Sequence, residues 1–574
     1  MCAQLSLGER QARGSEAAAA VPPQAHRGWE PAAGRRSPVE VLAEQEADRL
    51  SDLVPVRHGR MMISPFTFYR GAAAVMAEDL RATPVAGLPA QLCGDAHLSN
   101  FGVFGSPERR LVFDLNDFDE TLPGPFEYDV KRMVASFVIA ARDNGFCASD
   151  AKDAARAAAA AYRTAMSVFA QLGTMDVWYA SLDEDTIRSV ARDTMESIGQ
   201  AKKSAKKGKK KERAREQAKM AKRAAKRAAR AAEKAHTRDS MQALSKLGEA
   251  VGDSYRIVSQ PPVLIPLREL AFDMAPEMTP GQIEEGIRDQ FRAYRATLQP
   301  DRRHLLEQYE MVDAARKVVG VGSVGTRAYI VLLQGRDASD PLFLQIKEAT
   351  SSVLEGHLPR SRYRQHGQRV VHGQRLMQAA SDIYLGWTRG PRGRDFYWRQ
   401  LRDMKGSAEI EAMTPLGLNA YARACGWTLA RAHARSGDPV AIAAYLGESD
   451  EFDRSVTDFA VRYADQNERD FAEFVAAIKS GGLTAVEGVL SRLASHPPEN
   501  EWPSQLSVPH DSQWLVARNG EGRWRDLTMA AAHRPGSTRC CSCCATTAGR
   551  WRCCAASPCR GCCCPRSAPP ASPM

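Results

Sequence analysis

The amino-acid sequence predicts an α+β fold that is rich in helix. Two blocks of short apolar runs broken by Gly, Pro and Ser, at 88–120 and 310–348, have the pattern of strands and turns. Residues 126–199 and 415–480 instead follow the period of helices. With 574 residues, 44% hydrophobic and 25% charged, the composition excludes a wholly disordered or fibrous chain.

The elements are predicted in chain order as follows. Residues 1–37 are rich in Ala, Arg and Pro without periodicity, so we expect a disordered leader. From Pro38 to about Leu80 the pattern is helical, with Ser64-Pro65 as the N-cap and first turn of one helix. Strand, loop and hairpin follow over 88–120, and helices resume at Phe126.

The net charge of +10 comes from one segment. Residues 201–238 hold 17 Lys or Arg against 3 Glu, so the remaining chain is slightly acidic. A Lys/Arg/Ala-rich run without Pro predicts one long exposed helix, inserted between packed elements. Nucleic-acid binding through phosphates is the alternative, but 201–254 contain no Phe, Trp or Tyr on which bases could stack.

The second half of the chain begins with the strand-rich block at 310–348. A helix over about 365–380 and strands in DIYLGW and DFYWRQLRDM are expected next, followed by the helices of 415–480. The end of the chain holds 10 of the 14 Cys within 540–564. Their crowding fits neither a core nor paired zinc ligands, so we expect a poorly structured tail or a stretch read from the wrong frame.

We expect a cytoplasmic protein with no membrane partner. One of the longest uncharged stretches is MVASFVIAA (133–141), whereas a membrane helix needs about 20 apolar residues. The N-terminus lacks the apolar core of a signal peptide. Outside the tail the chain is poor in Cys, as in proteins of a reducing compartment.

The densest group of polar residues follows the first predicted strand. The segment CGDAHLSN (93–100) contains Asp95 and Asn100, and the hairpin segment LVFDLNDFD (111–119) adds Asp114, Asp117 and Asp119. Phosphoryl transfer to a hydroxyl needs one Asp that accepts the proton, and an Asn and a second Asp that hold Mg²⁺ on nucleotide phosphates. Acids at the ends of apolar strands are costly unless compensated. We therefore predict a phosphoryl-transfer site, with a polar turn of coincidental acids as the alternative.

A second group of candidates lies in KVVGVGSVGT (317–326) and PLFLQIKEA (341–349). They are Gly320, Gly322, Ser323, Gly325, Thr326 and Lys347. A dinucleotide-binding glycine turn must open a helix, but the run TRAYIVLLQ that follows has the composition of a strand. Strand, glycine loop, strand, and then a strand with one internal Lys is the kinase arrangement. The pattern predicts ATP binding; for Lys347, a surface position on an edge strand is the alternative.

Six segments are long enough to carry a family resemblance. They are SPFTFYRGAA (64–73), CGDAHLSNFGVFGSPERRLVFDLNDFDETLPGPFEYDVKR (93–132), KVVGVGSVGTRAYIVLLQGRD (317–337), PLFLQIKEA (341–349), GQRLMQAASDIYLGW (373–387) and LARAHARSGD (429–438). In these segments, roughly from Pro38 to Phe474, the chain resembles the bacterial family known as domain of unknown function 2252. That name supplies no activity.

The motifs also resemble, more distantly, the protein-kinase-like superfamily, especially its aminoglycoside and small-molecule phosphotransferases. Their H-G-D-x-H-x-x-N loop is similar to CGDAHLSN, with Cys93 in place of the first His. The resemblance implies that Asp95 is the catalytic base and Asn100 a metal ligand. His97 either orients this loop or packs as a core histidine.

The same resemblance bears on the acids of the hairpin. The I-D…G-P-x-x-x-D segment of these phosphotransferases is similar to the stretch from Asp117 to Asp129. We therefore favour Asp117 as the second metal ligand, with Asp119 and Asp114 as rivals, and assign Asp129 a structural role beside the catalytic loop. The acid that pairs with Lys347 is left open between Glu355 and Glu348.

The order of the motifs differs from that of kinases. Asp95 precedes Lys347, whereas kinases have the glycine loop and Lys first. The resemblance therefore implies a two-lobed, kinase-like fold that is circularly permuted. In this scheme a catalytic-loop region (38–300, with the basic insert) precedes a nucleotide-binding region (308–405), helices of the first lobe (406–482) and a tail (483–574). The helix 416–435 would then correspond to the one that leads into the catalytic loop.

Two functional hypotheses follow from these residues. The first is an ATP- and Mg²⁺-dependent phosphotransferase, or a related nucleotidyl-transfer enzyme, whose hydroxyl acceptor is a small molecule or a protein. The second is a catalytically silent module that binds a nucleotide or a partner and holds nucleic acid through the basic helix. The set Asp95, Asn100, Asp117 and Lys347 favours the enzyme.

Overall fold

The computed structural model describes residues 5–186, 226, 230, 232–252, 254–274, 280–401 and 404–489. The predicted basic helix over 201–238 falls mostly outside the described residues, and so does the predicted tail from residue 490 onward. Every element named below belongs to one compact unit, Met1–His496. Helices and antiparallel sheets both occur, which confirms the α+β prediction.

Helices precede, interrupt and follow the strand-rich part of the chain. They are α1 (Leu7–Ala20), α2 (Pro38–Glu46), α3 (Val54–Met61), α4 (Pro65–Gly71), α5 (Ala73–Leu80), α6 (Phe126–Asp143), α7 (Ala148–Phe169), α8 (Thr174–Tyr179), α9 (Ser240–Leu247), α10 (Leu267–Met274), α11 (Pro280–Arg295), α12 (Pro300–Leu306), α13 (His366–Met377), α14 (Pro415–Ser436), α15 (Pro439–Leu446) and α16 (Glu451–Lys479). The predicted start of α4 is confirmed. Ser64 caps it through reciprocal hydrogen bonds with Thr67, and Pro65 lies in the first turn.

The strands form four antiparallel sheets among the described residues. They are β1 (Pro89–Leu92), β2 (Phe101–Gly105), β3 (Leu111–Leu115), β4 (Leu122–Pro125), β5 (Leu182–Asp183), β6 (Gly248–Val251), β7 (Ser254–Ile257), β8 (Leu264–Pro266), β9 (Glu310–Lys317), β10 (Ala328–Gln334), β11 (Pro341–Ala349), β12 (Gly386–Arg389), β13 (Asp395–Gln400) and β14 (Gly406–Ser407). The strand orders are β1-β4, β14-β2-β3-β5, β6-β7 and β12-β13-β11-β10-β9-β8.

The six-stranded sheet carries the glycine loop and Lys347. Strand β11 is buried at every position, because apolar clusters cover the sheet. One cluster joins Tyr294 and Trp398, and another joins Leu244 and Leu264 to the strands. The helices α9, α11 and α12 therefore pack on this sheet. Helices α9 and α11 and strand β8 lie within 38–300, the predicted catalytic-loop region.

The helical body of the fold is organised around α6. Almost all of this helix is buried, including its polar residues Glu127, Asp129 and Arg132. It packs against α7, α14 and α16, and their side chains form one large apolar core. Its buried residues Asp129 and Arg132 contact the loop that carries Asp95.

The prediction that residues 1–37 are a disordered leader is wrong for the described part. Ser6 and Glu9 cap helix α1 reciprocally, and Arg10 Nε donates to Asp438 Oδ1 at 2.8 Å. Gly14 lies directly against the backbone of α15, and His26 is buried with its Nε2 2.7 Å from the Tyr445 hydroxyl. The contact face of α1 consists of small residues, which carry a weak hydrophobic period.

No helix in the described ranges is long and apolar enough to span a membrane.

Candidate active site

Most of the residues predicted for the site line one cavity. Its volume is about 1000 Å³. The predicted residues on its wall are Asp95, His97, Asn100, Asp117, Asp119, Gly320, Gly322, Ser323 and Thr326. Two segments more than 200 residues apart in the sequence thus meet at one place, as a phosphoryl-transfer site requires.

The loop that carries Asp95 begins where β1 ends. Gly94 has a φ of 84° and lies so close to the Glu120 carbonyl oxygen that a Cβ would be 2.3 Å from it, so only glycine fits here. The Asp129 carboxylate accepts hydrogen bonds from the backbone N–H of Cys93 at 2.7 Å and of Gly94 at 3.0 Å. The structural role predicted for Asp129 is therefore confirmed.

Asp95 is held by a buried arginine. Arg132 Nε and Nη2 both lie 2.8 Å from Asp95 Oδ1, and Arg132 Nη2 also donates to the Tyr69 carbonyl oxygen at 2.8 Å. Burial disfavours the charged guanidinium, but the Asp95 carboxylate outweighs it and raises the pKa of Arg132. Asn100 Nδ2 donates to the Asp95 carbonyl oxygen at 2.7 Å. The second carboxylate oxygen of Asp95 faces His97 Nε2 at 3.7 Å.

His97 is a neutral imidazole inside this loop. Burial, followed by the charges of Arg70 and Arg132, lowers its pKa well below the usual value. Its Nδ1 accepts a hydrogen bond from the Ser99 N–H at 3.2 Å, so the ring proton lies on Nε2. At 3.7 Å from Asp95 the ring is beyond hydrogen-bond distance. The contacts of His97 are those of a residue that shapes the loop.

The three rival acids of the hairpin lie in two different environments. Asp114 is completely buried, accepts the N–H of Ala379 at 2.8 Å and forms an ion pair with Arg431. Asp114 is not among the residues that line the cavity. Asp117 and Asp119 follow β3 and open onto the cavity.

Lys347 joins the six-stranded sheet to these acids. Its Nζ forms an ion pair with Asp119 Oδ2 and lies 3.5 Å from Asp117 Oδ1. The Tyr397 hydroxyl donates to the other oxygen of Asp119 at 2.6 Å. Burial would raise the pKa of Asp119, but Lys347 and Tyr397 lower it to about 2. Burial and the neighbouring Asp119 raise the pKa of Asp117, against the opposing charges of Lys347 and Arg399.

Neither of the acids considered for Lys347 is its partner. Glu348 accepts from Arg327 at 3.1 Å and from Arg394 at 2.7 Å. Glu355 has a buried Oε1 without a hydrogen-bond partner among the described residues. The alternative that Lys347 is an exposed edge residue is wrong as well, because its side chain is 3% exposed. The acid partner is Asp119, which lies in the connection between β3 and β4.

The glycine loop connects β9 to β10 and lies over the cavity. Gly320 and Gly325 have φ values of 66° and 91°, which other residues rarely adopt. Loop carbonyls are held from outside: Arg60 Nη1 donates to Gly320 O at 2.6 Å, and Arg49 Nη1 to Val324 O at 2.5 Å. Strand, glycine loop, strand and strand with Lys347 occur in the order predicted.

The oxygen donors of the cavity suit a magnesium ion that is shared with phosphates. No group of three or more His, Cys, Asp or Glu is arranged to hold a metal within the ranges that the structure describes. Mg²⁺ bound with a nucleotide, however, takes only one or two carboxylates from the protein. Asp117 lines the cavity and is the more loosely bound of the two carboxylates beside Lys347, and the bond from Asn100 Nδ2 leaves its amide oxygen as the open end of that side chain. These two residues fit the ion.

A family model, described as an uncharacterized protein conserved in bacteria (DUF2252), matches residues 49–231 and 192–477 of the chain. The chain belongs to this family. No curated protein and no solved structure matches it. The matched part contains every site residue named above, whereas part of the cavity wall comes from residues between Trp29 and Asp48, which precede the match.

Three further residues of this DUF2252 site were not identified from the sequence. Arg132 holds Asp95, Tyr397 holds Asp119, and Arg369 donates to the carbonyl oxygens of Asp119 and Thr121 at 2.8 and 2.6 Å. Arg132 follows Asp129 by three residues, which places it one turn further along α6. The spacing from Asp129 was therefore a usable signal for Arg132, whereas Arg369 and Tyr397 depend on tertiary contacts alone.

Proposed function

We propose that this protein is an ATP- and Mg²⁺-dependent phosphotransferase that acts on the hydroxyl group of an acceptor not yet identified. The observation that carries the proposal is the meeting of Lys347 with Asp119 and Asp117 beside the loop of Asp95. Phosphoryl transfer is catalysed mainly by positioning and electrostatics. A base, acidic metal ligands, a phosphate-binding Lys and a glycine loop are the parts it needs.

In this proposal Asp95 is the general base. Arg132 occupies Oδ1 with two hydrogen-bonding nitrogens, so Oδ2 is the oxygen that takes the proton of the acceptor hydroxyl. Arg132 itself lies beneath the loop, with its guanidinium 3.8 Å from the centre of the Tyr69 ring. It is a positioning residue, because it fixes the direction of the carboxylate without facing the cavity.

Lys347 and the glycine loop are assigned to the nucleotide. Lys347 would contact phosphate oxygens, and Asp117 and Asn100 would hold the magnesium ion, which neutralises charge on the phosphates when bound. Asp119 accepts bonds from both Lys347 and Tyr397, and it would keep the Lys side chain extended toward the cavity. Ser323 Oγ lies 3.4 Å from Asp119 Oδ2, which brings the loop over the same acid.

A circularly permuted, kinase-like architecture is part of the proposal. In the usual kinase order a helix leads directly into the strand before the catalytic loop. Here the end of α14 lies beside β1, because the Gln91 N–H donates to Ser436 Oγ at 3.2 Å. A Cβ at Gly437 would be 2.9 Å from the Pro89 carbonyl oxygen. The proximity of these segments supports a permutation in which residues 436 and 89 correspond to positions that are adjacent in the sequence of an unpermuted kinase.

Calorimetric titration with ATP, with Mg²⁺ and with EDTA, tests this function. We expect ATP binding that depends on Mg²⁺, and slow hydrolysis of ATP by water in the absence of an acceptor. Binding without any turnover across a panel of hydroxyl compounds would favour the catalytically silent module. Absence of Mg²⁺-ATP binding in a folded sample would contradict both forms of the proposal.

A further inference from the structure

Arg70, at the C-terminal end of α4, lines the cavity beside Asp95 and His97. Its Nε is buried without a hydrogen-bond partner, and within the described residues its guanidinium forms no hydrogen bond and no ion pair. The nearest aromatic contact is the ring of Phe66, whose centre is 6.0 Å away. Burial lowers the pKa of Arg70, while the charges of Glu411 and Asp95 oppose that effect from beyond ion-pair distance.

Most other charged residues on this wall are paired. Arg35 binds Asp79 and Asp470, Arg36 binds Glu44 and Glu78, and the wall acids Asp48 and Glu348 both bind Arg394. Asp95 has Arg132, and Asp119 has Lys347. A partly buried guanidinium without an anion is costly. The unpaired state of Arg70 therefore indicates that its anion comes from a ligand.

The position of Arg70 indicates which ligand this is. Its charge acts on Asp95 and His97, the loop assigned to the acceptor. Its backbone carbonyl oxygen lies 3.0 Å from where a Cβ of Gly322 would be, so the backbone of Arg70 borders the glycine loop of the nucleotide side, whereas its side-chain charge acts on the loop of Asp95. Lys347, by contrast, is bound to Asp117 and Asp119. Arg70 thus belongs to the acceptor side of the cavity.

We infer that the acceptor is an anionic hydroxyl compound, whose carboxylate or phosphate group is bound by Arg70 while its hydroxyl faces Asp95. This inference deepens the proposed phosphotransferase function. The identification of the bound compound as the acceptor rests on that function. The binding of an anion at Arg70 rests only on the unpaired guanidinium. Arg is suited to both groups, because its planar fork bonds two oxygens of a carboxylate or a phosphate at once.

The test uses inorganic phosphate, D-glycerate and glycerol 3-phosphate as probes, with glycerol as the neutral control. Each is titrated calorimetrically into the full chain, once without nucleotide and once after saturation with Mg²⁺ and a non-hydrolysable ATP analogue. We expect at least one anionic probe to bind the wild type and glycerol not to bind. R70M should weaken the binding of that probe on the order of tenfold or more, which is the usual effect of losing a charge-assisted bidentate bond. Preference between glycerate and glycerol 3-phosphate identifies the anion.

Two variants serve as controls. R81M removes an exposed arginine from the same cavity wall and should leave anion binding within about twofold. R70K keeps the charge and loses the planar fork, so it should bind the anion more weakly than wild type even if R70M does not fold.

Three results would overturn the inference. They are no binding of any anionic probe, equal binding by wild type and R70K, and displacement of the anion by the ATP analogue, which would put Arg70 on the nucleotide side. Failure of the ATP analogue to bind, together with anion binding that depends on Arg70, would refute the phosphotransferase and leave the anion site standing.

Discussion

The ion pair between Lys347 and Asp119 makes a quantitative prediction that does not depend on any ligand. Replacing Lys347 by Met keeps most of the side-chain volume but leaves Asp117 and Asp119 together without their cation. Removing one partner of a buried ion pair costs about 3–5 kcal/mol. The Lys side chain is 3% exposed and the two carboxylates are 31% and 27% exposed. Because cavity water screens the carboxylates, we expect K347M to lose about 3 kcal/mol in the free energy of unfolding at pH 8.

The loss should depend on pH in a defined direction. In the wild type the pKa of Asp119 is held at about 2, below its value in the unfolded chain, so the stabilisation is present at neutral pH and is lost only as pH falls toward 2. In K347M the two carboxylates repel each other and their pKa values rise. Protonation then relieves the repulsion, so the deficit of K347M should be clearly smaller at pH 5 than at pH 8.

Urea unfolding followed by circular dichroism at both pH values measures these differences. The double-mutant cycle with D119N isolates the pair, and we expect a coupling energy above about 1 kcal/mol. K152M, on the exposed face of α7, is the matched control and should stay within about 0.5 kcal/mol of wild type. If K347M were as stable as K152M at pH 8, or if the cycle were additive, Lys347 would not pair with Asp119.

Three other predictions concern single features of the chain. D117N should weaken Mg²⁺-dependent ATP binding in calorimetry, whereas D95N should keep that binding and lose turnover by about 10²–10⁴-fold; equal binding losses would contradict the assigned roles. Burial raises the pKa of Glu120 to about 7, so the fold favours its protonated form and wild-type stability falls as pH rises from 4.5 through 7. E120Q keeps an acceptor for the Val353 N–H but has no carboxyl group that titrates. From pH 5 to pH 8 its free energy of unfolding should therefore rise by about 2 kcal/mol relative to that of wild type, since each pKa unit is worth about 1.4 kcal/mol. A difference in urea unfolding that stays constant with pH would refute this. Deleting 201–225 should leave Mg²⁺-ATP affinity unchanged and reduce retention on heparin at low salt, and a loss of ATP affinity would show that the segment serves the site.

The sequence predicted best those features of the fold that depend on a property of one residue type. The order of strand, glycine loop, strand and Lys347 was predictable, because the loop glycines cannot be replaced at positive φ and the flanking runs have the composition of strands. Asp95 lines one cavity with Asp117 and Asp119, the two acids that Lys347 contacts.

The predictions that failed concern contacts between distant segments. Asp114, Asp117 and Asp119 cannot be told apart by spacing, yet Arg431 removes Asp114 from the cavity. The leader was misjudged because helix α1 uses Gly14 and other small residues to approach α15. Propensity and periodicity are local quantities, and neither contains the position of a partner that is hundreds of residues away.

Arginine side chains bound to backbone carbonyls join the separate segments of this site. Arg60 and Arg49 hold the glycine loop, Arg369 holds Asp119 O, and Arg399 Nη1 donates to Asn116 O at 3.2 Å. Arginine keeps its charge across the physiological range, and bonds in a partly buried wall are only weakly screened by salt. The arrangement of the cavity should therefore persist while its acids titrate. The pH dependence of any activity would then report on Asp117 and Glu120, and not on the assembly of the site.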